Sequence, residues 1–215
     1  ALALEEKYVL NHGICGLLDG MLPGCGLSSS ASVLLAYLHA FARANELELS
    51  SWDYVNITRR AENKYIGLNN GILDQTSIVF GEKGHLLHID TVDKTVTKLP
   101  DQKAENDYRI IVAYSGSSRE LTTSGYNSRV DECRLAAAEL SRLSGRPGAE
   151  VLSSVERSAF DRFESELQPH IRRRATHFFG ESQRVMDGLT AWNQGDVETF
   201  GKLMNLSCKS SIEQY

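Results

Sequence analysis

The stretch Pro23-Gly24-Cys25-Gly26-Leu27-Ser28-Ser29-Ser30-Ala31 joins a short apolar run, Ile14 to Met21, to a long apolar segment, Ser32 to Ala44. Glycines in such a loop admit positive φ and let backbone amides approach an anion with no Cβ in the way. In the segment that follows, Leu34, Tyr37, Leu38 and Phe41 recur at i, i+3, i+4 and i+7, which is helical spacing. Most of its other positions are small or apolar, so the spacing predicts a helix buried on nearly all sides. The start of that helix aims unsatisfied amides and the positive end of its dipole into the loop. The serine hydroxyls add donors for phosphate or ligands for Mg²⁺. Loop composition alone leaves two readings open, a phosphate cradle or a plain capped helix entry. It does exclude a Walker loop, because no lysine follows Gly26, and a dinucleotide fingerprint, because Ser29 stands where a third glycine is needed.

Working outward, Ile14 to Met21 is bounded by glycine and reads as a strand, and Ala1 to Leu10 as the end of a helix. Ser50 with Asp53 resembles a helix start whose run reaches about Tyr65 and stops in Gly67-Leu68-Asn69-Asn70-Gly71. A second short helix runs from Ile72 to near Gly81. Strands are predicted at His85 to Asp90, Val96 to Leu99 and Arg109 to Tyr114, where β-branched and aromatic residues concentrate. After Ser115-Gly116 the pattern turns helical. Val130, Cys133, Ala137 and Leu140 form one stripe, and Ile171, Ala175, Phe178, Val185, Leu189 and Trp192 another, ended by Gly195 before a last helix from Val197. The first half is therefore mixed α and β, the second almost all helix, with a boundary near Ser115.

Composition narrows the function classes. Of 215 residues, 41% are apolar and 24% charged, and the net charge of −5 supplies no basic field for collecting phosphate backbones. No nucleic-acid partner is expected. The longest apolar stretch, Val33 to Ala42, is too short to span a bilayer, and no segment has the order of a signal peptide. Four scattered cysteines (Cys15, Cys25, Cys133, Cys208) imply reduced thiols and a cytoplasmic location without a membrane partner. Arg172-Arg173-Arg174 reads as a solvated face with His170, and the sequons at Asn56 and Asn205 as chance matches within helices.

Four landmarks give the loop its context. Pro23 to Ala31 resembles the second signature motif of the GHMP kinases, which phosphorylate small molecules such as galactose, homoserine and mevalonate. Gly71-Ile72-Leu73-Asp74-Gln75 is similar to the G-I-M/L-D-Q segment of the galactokinase branch, and Ala61-Glu62-Asn63 to the stretch that leads into it. Gly125-Tyr126-Asn127-Ser128-Arg129 with Cys133 resembles the Y-N-x-R-x-x-x-C segment of that branch. Residues 68–75 and 125–133 look closer to the plant-type galacturonokinases than to ordinary galactokinases.

The resemblance implies an α/β (α+β) GHMP kinase fold. Residues 1–115 would belong to the ribosomal-protein-S5-like, ATP-binding N-terminal domain, and residues 116–215 to a mostly helical part of the C-terminal domain. It implies a sugar-1-kinase moving the γ-phosphoryl of MgATP to O1 of galactose or galacturonate. Pro23, Gly24, Gly26, Leu27, Ser28, Ser29 and Ser30 would wrap the triphosphate, and Ser30 and Glu62 would hold Mg²⁺. Asp74, at a helix start where negative charge is favoured, would orient the anomeric hydroxyl and accept its proton. Asn70, Gly71 and Tyr126 would contact the sugar.

The alternative is a galactokinase-like sugar- and ATP-binding sensor without turnover, and the residues leave the oligomeric state open. The R-x-N-L-I-G-E-H segment and the glycine-rich third motif of such kinases do not occur among these residues, which reads as the middle section of a chain about twice as long. Residues 1–215 alone are therefore expected to release no ADP with galactose or galacturonate, and measurable sugar-dependent release from them would contradict this.

Overall fold

A computed structural model describes residues 2–20, 26–67, 69–101, 108–109, 111–113 and 125–215. Pro23, Gly24, Cys25, Leu68 and the expected boundary at Ser115 lie outside them. The described residues fall into two compact units, the first within Ala1–Pro100 and Ile111–Ser124, the second within Asp101–Ile110 and Gly125–Tyr215.

The first unit contains helices α1 (Leu2–Glu5), α2 (Ser29–Ala44), α3 (Ser51–Ala61) and α4 (Leu73–Phe80), and strands β1 (His85–Asp90) and β2 (Thr95–Pro100). A π-helical turn, Glu62–Ile66, continues α3. The start of α3 is the expected one. Ser50 Oγ accepts from the Asp53 amide at 3.2 Å and Asp53 Oδ2 accepts from the Ser50 amide at 3.0 Å, a reciprocal capping box. The Ser50 hydroxyl, with Lys7 beside it, holds the Asp53 carboxyl below the usual carboxylate range.

The strands expected at 85–90 and 96–99 both form and pair as a hairpin, β1 antiparallel to β2, with His85 opposite Pro100 and Asp90 opposite Thr95. Asp90 Oδ1 closes its turn by accepting from the amides of Val92 at 2.8 Å and Asp93 at 3.0 Å. The strands expected at 14–21 and 109–114 are absent among the described residues, where Leu17 is 97% and Ile111 85% exposed. A strand needs a neighbour to take its backbone donors and acceptors, and the sheet here pairs only β1 with β2.

Helix α2 also departs from expectation. It buries one face, Ala31, Leu35, Leu38 and Ala42, against α3 and α4, while Tyr37 stands exposed. Two covering helices seal one side of a cylinder, so the small residues elsewhere on α2 are left outside.

The second unit packs helix α5 (Tyr126–Leu143), α6 (Arg157–Phe163), α7 (Pro169–Asn193) and α8 (Val197–Gln214). Its core joins Ala136, Ala137 and Leu140 to Leu152, Phe160, Leu167, Ile171, Ala175 and Phe179, with the Phe160 and Phe179 rings stacked at 4.7 Å. Gly195 ends α7 as predicted. At φ 67° it lets its own amide reach the Trp192 carbonyl at 2.9 Å and the Asp196 amide reach that of Ala191 at 2.8 Å. Asp196 then caps α8 by accepting from the Thr199 amide.

The α7 stripe needs one correction. Phe179 rather than Phe178 is the buried continuation of the Ile171–Ala175 row, Val185 stands exposed, and beyond it Gly188 and Ala191 are buried along with the expected Trp192. Arg174 is likewise no part of a solvated face. Its side chain, 14% exposed, pairs with Glu132 at 2.5 Å and donates to the Gln214 and Tyr215 carbonyls at 2.8 Å. A cation beside the last carbonyls of a helix is a favourable placement, and the reach of the arginine allows it. No described helix is long and apolar enough to cross a membrane.

The corrected register of α7 is testable by unfolding. Ile171→Ala, at a site 6% exposed, should lower the unfolding free energy by about 2–5 kcal/mol, and Val185→Ala, at one 49% exposed, by less than about 1 kcal/mol. Equal losses in urea titrations would refute the assignment of the buried face.

Candidate active site

The loop enters α2 through two left-handed residues, Gly26 at φ 74° and Ser28 at φ 54°. Left-handed backbone is uncommon for a residue with a Cβ. Ser28 occupies the N-cap position, and its side chain makes no capping bond to the helix. Its carbonyl accepts instead from the amide and hydroxyl of Ser32, at 3.0 and 3.1 Å. Leu27 is exposed, and Ser29 and Ser30 are partly buried in the first turn.

Ser30 points at Glu62. Its hydroxyl donates to Glu62 Oε1 at 2.9 Å. Glu62 is the first residue of the π-helical turn, where the ladder widens until the Gly67 amide, at φ 83°, reaches back to the Glu62 carbonyl. Single π turns occur often at functional sites. Glu62 itself keeps helical phase, its amide donating to the Thr58 carbonyl, and its carboxylate is only 1% exposed.

Burying a carboxylate is costly unless donors replace its water. Besides Ser30, Glu62 accepts on Oε2 from Gln75 Nε2 at 2.5 Å and from Asn70 Nδ2 at short range. Asn63 in turn donates from Nδ2 to Asn70 Oδ1 at 2.7 Å. The Gln75 amide orientation follows from its partner, since a carboxylate can only accept and the NH₂ must face it. The other end of that amide, Oε1, is buried without a partner, as is Thr76 Oγ1. An unpaired buried polar atom costs about 1–3 kcal/mol, so the aim of Gln75 at Glu62 is obtained against a penalty.

Gln75 is buried in the first turn of α4, and Asp74 beside it is exposed. No side chain caps α4 at Ile72, and Gly71 just before it is exposed. The structure thus gathers Ser30, Glu62 and Asn70 into one hydrogen-bonded group and ties the turn that carries Asp74 to it through Gln75. Asn70, expected beside the sugar, has both ends of its side-chain amide bonded within the protein. Tyr126 opens α5 in the second unit, behind Gly125 at φ 68°. Pro23 and Gly24 lie outside the described residues.

The sequence reading gave no role to Gln75 or Asn63. The signal was present, because Ile72, Gln75 and Thr76 fall at i, i+3 and i+4 and all are buried. An amide at such a position must find a partner. Glu62→Ala would strand the donors of Ser30, Asn70 and Gln75 together, and should cost more than about 3 kcal/mol in urea unfolding. A loss under about 1 kcal/mol would mean that the carboxylate does not organise this region.

Residues 1–82 match the family of GHMP kinases N terminal domain. Along nearly its whole length the chain is similar to the galacturonokinase of Arabidopsis thaliana, 43% identical over 217 residues, covering 98% of this chain and 51% of that protein. It is 34% identical over 192 residues to the galactokinase of Roseiflexus sp. (strain RS-1), covering 89% of this chain and 48% of the relative. The crystal structure of Lactococcus lactis galactokinase complexed with galactose superposes with a TM-score of 0.76 at 28% identity, over 91% of this chain and 49% of that one. The chain spans about half the length of the curated relatives it matches. A shared α+β fold, a GHMP kinase N-terminal domain matched over residues 1–82, and similarity along nearly the whole chain to galacturonokinase and galactokinases together make this chain similar to the GHMP kinases of galactokinase type.

Proposed function

We propose that this chain is part of a sugar-1-kinase that moves the γ-phosphoryl group of MgATP to the anomeric O1 hydroxyl of galactose or galacturonate. In this reading residues 1–115 belong to the ATP-binding N-terminal domain and residues 116–215 to the C-terminal domain. The observation that carries it is the bonding of Ser30, which follows the glycine–serine loop, and of Gln75, which follows Asp74, to one buried carboxylate, Glu62. That arrangement holds the phosphate-binding segment and the acceptor-facing segment in fixed register, and phosphoryl transfer depends mainly on such positioning.

Pro23, Gly24, Gly26, Leu27, Ser28, Ser29 and Ser30 hold the triphosphate, as the family resemblance implies. The uncapped start of α2 supplies donors and the positive end of a dipole. Ser30 and Glu62 fit Mg²⁺. Mg²⁺ takes oxygens at about 2.1 Å in an octahedron, which sets neighbouring ligands about 3 Å apart. Ser30 Oγ and Glu62 Oε1 stand 2.9 Å apart. When bound there, the ion supplies positive charge for the phosphate oxygens. Asp74 orients the acceptor hydroxyl and takes its proton as the phosphoryl group arrives, its exposure leaving it open to a sugar. Gly71 offers an approach free of a Cβ, beside Asn70. Tyr126 is carried over as a sugar contact from the family resemblance alone.

The full-length protein should release ADP with galactose, galacturonate or both in a panel of hexoses and uronic acids. Asp74→Asn should lower kcat by about 10²–10⁴-fold while the fold, read by circular dichroism, is kept. No turnover with any sugar in the panel, or near-normal kcat in the variant, would overturn the reading. Sugar binding without turnover would identify a sensor instead.

A further inference from the structure

The two oxygens of Glu62 are not equivalent. Oε2 accepts from two side-chain amides, Asn70 Nδ2 and Gln75 Nε2, while Oε1 accepts from one hydroxyl, that of Ser30. The chemistry of the donors widens the difference. An amide NH₂ only donates, so its nitrogen cannot turn a lone pair toward a cation. A serine hydroxyl can rotate its hydrogen away and present a lone pair, becoming a ligand of the same ion that displaced it.

From this asymmetry we propose that Asn70 and Gln75 are positioning residues that pin Oε2 and so present Glu62 Oε1, with Ser30 Oγ, to the divalent cation. The inference rests on the reading of Ser30 and Glu62 as the cation pair and goes beyond it, since neither Asn70 nor Gln75 touches the ion. The clamp is built in two layers. Asn63 donates to Asn70 Oδ1 at 2.7 Å, which fixes which end of the Asn70 amide faces the carboxylate. Gln75 is wholly buried and leaves its own Oε1 unpartnered, so its amide is aimed at Glu62 and at nothing else. Glu62 and Asn63 are consecutive at the end of α3 and the start of the π turn, so the segment that carries the carboxylate also carries the residue that orients its clamp. Bonds of this kind to a ligand side chain tune cation affinity without joining the coordination shell.

The test uses the full-length protein with a non-hydrolysable ATP analogue, and Mn²⁺ as the probe, its free concentration followed by electron paramagnetic resonance. Gln75→Met keeps the volume and removes both the donor and the orphaned Oε1, and Asn70→Ala removes the second donor. Each should weaken Mn²⁺ binding by about 10–100-fold, with the sugar KM of Gln75→Met within about twofold of the parent. Gln75→Met should melt no more than a few degrees from the parent, so that loss of cation affinity is separated from loss of fold. Mn²⁺ affinity unchanged in both variants would overturn the proposal. A tenfold rise in sugar KM in Asn70→Ala with Mn²⁺ affinity intact would overturn it too, and would make Asn70 a substrate contact. Glu62→Gln serves as the control. If it leaves Mn²⁺ affinity unchanged, the cation pair itself is refuted, an outcome distinct from failure of the clamp alone.

Discussion

A carboxylate removed from water keeps its place only where the protein supplies the donors that water gave up. Glu62 meets that condition with three side-chain donors, drawn from α2, from the segment that follows the π turn and from the first turn of α4. Each donor lies far from Glu62 in sequence, the Ser30 hydroxyl 32 residues away and the Gln75 amide 13. The desolvation penalty of one side chain therefore acts as a constraint on three pieces of backbone. Apolar contacts between α2, α3 and α4 could be met by several small rotations of the helices, whereas three converging hydrogen bonds admit very few. Burial makes the elements pack, and the carboxylate decides how.

The second unit uses a buried charge differently. Arg174 spans from Glu132 on α5 to the last carbonyls of α8, so its guanidinium links three helices whose packing is already given by an apolar core. There the ion pair sits at the rim of a well-filled interior, with the Phe160–Phe179 stack carrying the centre. In the first unit the polar network is the centre. A unit whose interior includes Glu62, Gln75, Thr58 and Thr76 has traded apolar area for directional bonds. Such an exchange is worthwhile where a side chain must be held in one orientation for chemistry.

How much of this was legible in the sequence depends on the range of the interaction. Local signals read well: the Ser50–Asp53 box, the Gly195 stop, the two strands at 85–90 and 95–100, the end of α2 and the extent of α4 all follow from residues a few positions apart. Strand expectations at 14–21 and 109–114 failed among the described residues because a strand is a property of a pair, and alternation along one segment does not name its partner. Stripe readings located helices but misjudged faces, since a stripe gives a direction only once the neighbour is known. Tyr37 and Val185 were read as inward and stand exposed. Motif resemblance named Ser30, Glu62, Asn70 and Asp74, but not that Asn70 and Gln75 spend their amides on Glu62. Spacing cannot reveal those bonds, because they close between side chains on separate segments, 8 and 13 residues from Glu62.

The same group explains why two acidic residues on neighbouring elements can serve unlike ends. Glu62 is enclosed and saturated on one oxygen, so any partner it takes must arrive from the Ser30 side. Asp74 is exposed on a turn whose position is set by its neighbour Gln75 and not by its own side chain. On the proposed roles, Asp74, which would meet a changing reactant, benefits from a fixed backbone and an uncommitted side chain, whereas Glu62, which would hold a cation, benefits from the reverse. Placing Asp74 and Gln75 consecutively on α4 allows both, because successive helical positions point about 100° apart and one turn can face the interior and solvent at once. Moving either residue by one position would set the exposed carboxylate inside or the clamping amide outside, which gives the order Asp-Gln in this segment a physical reason.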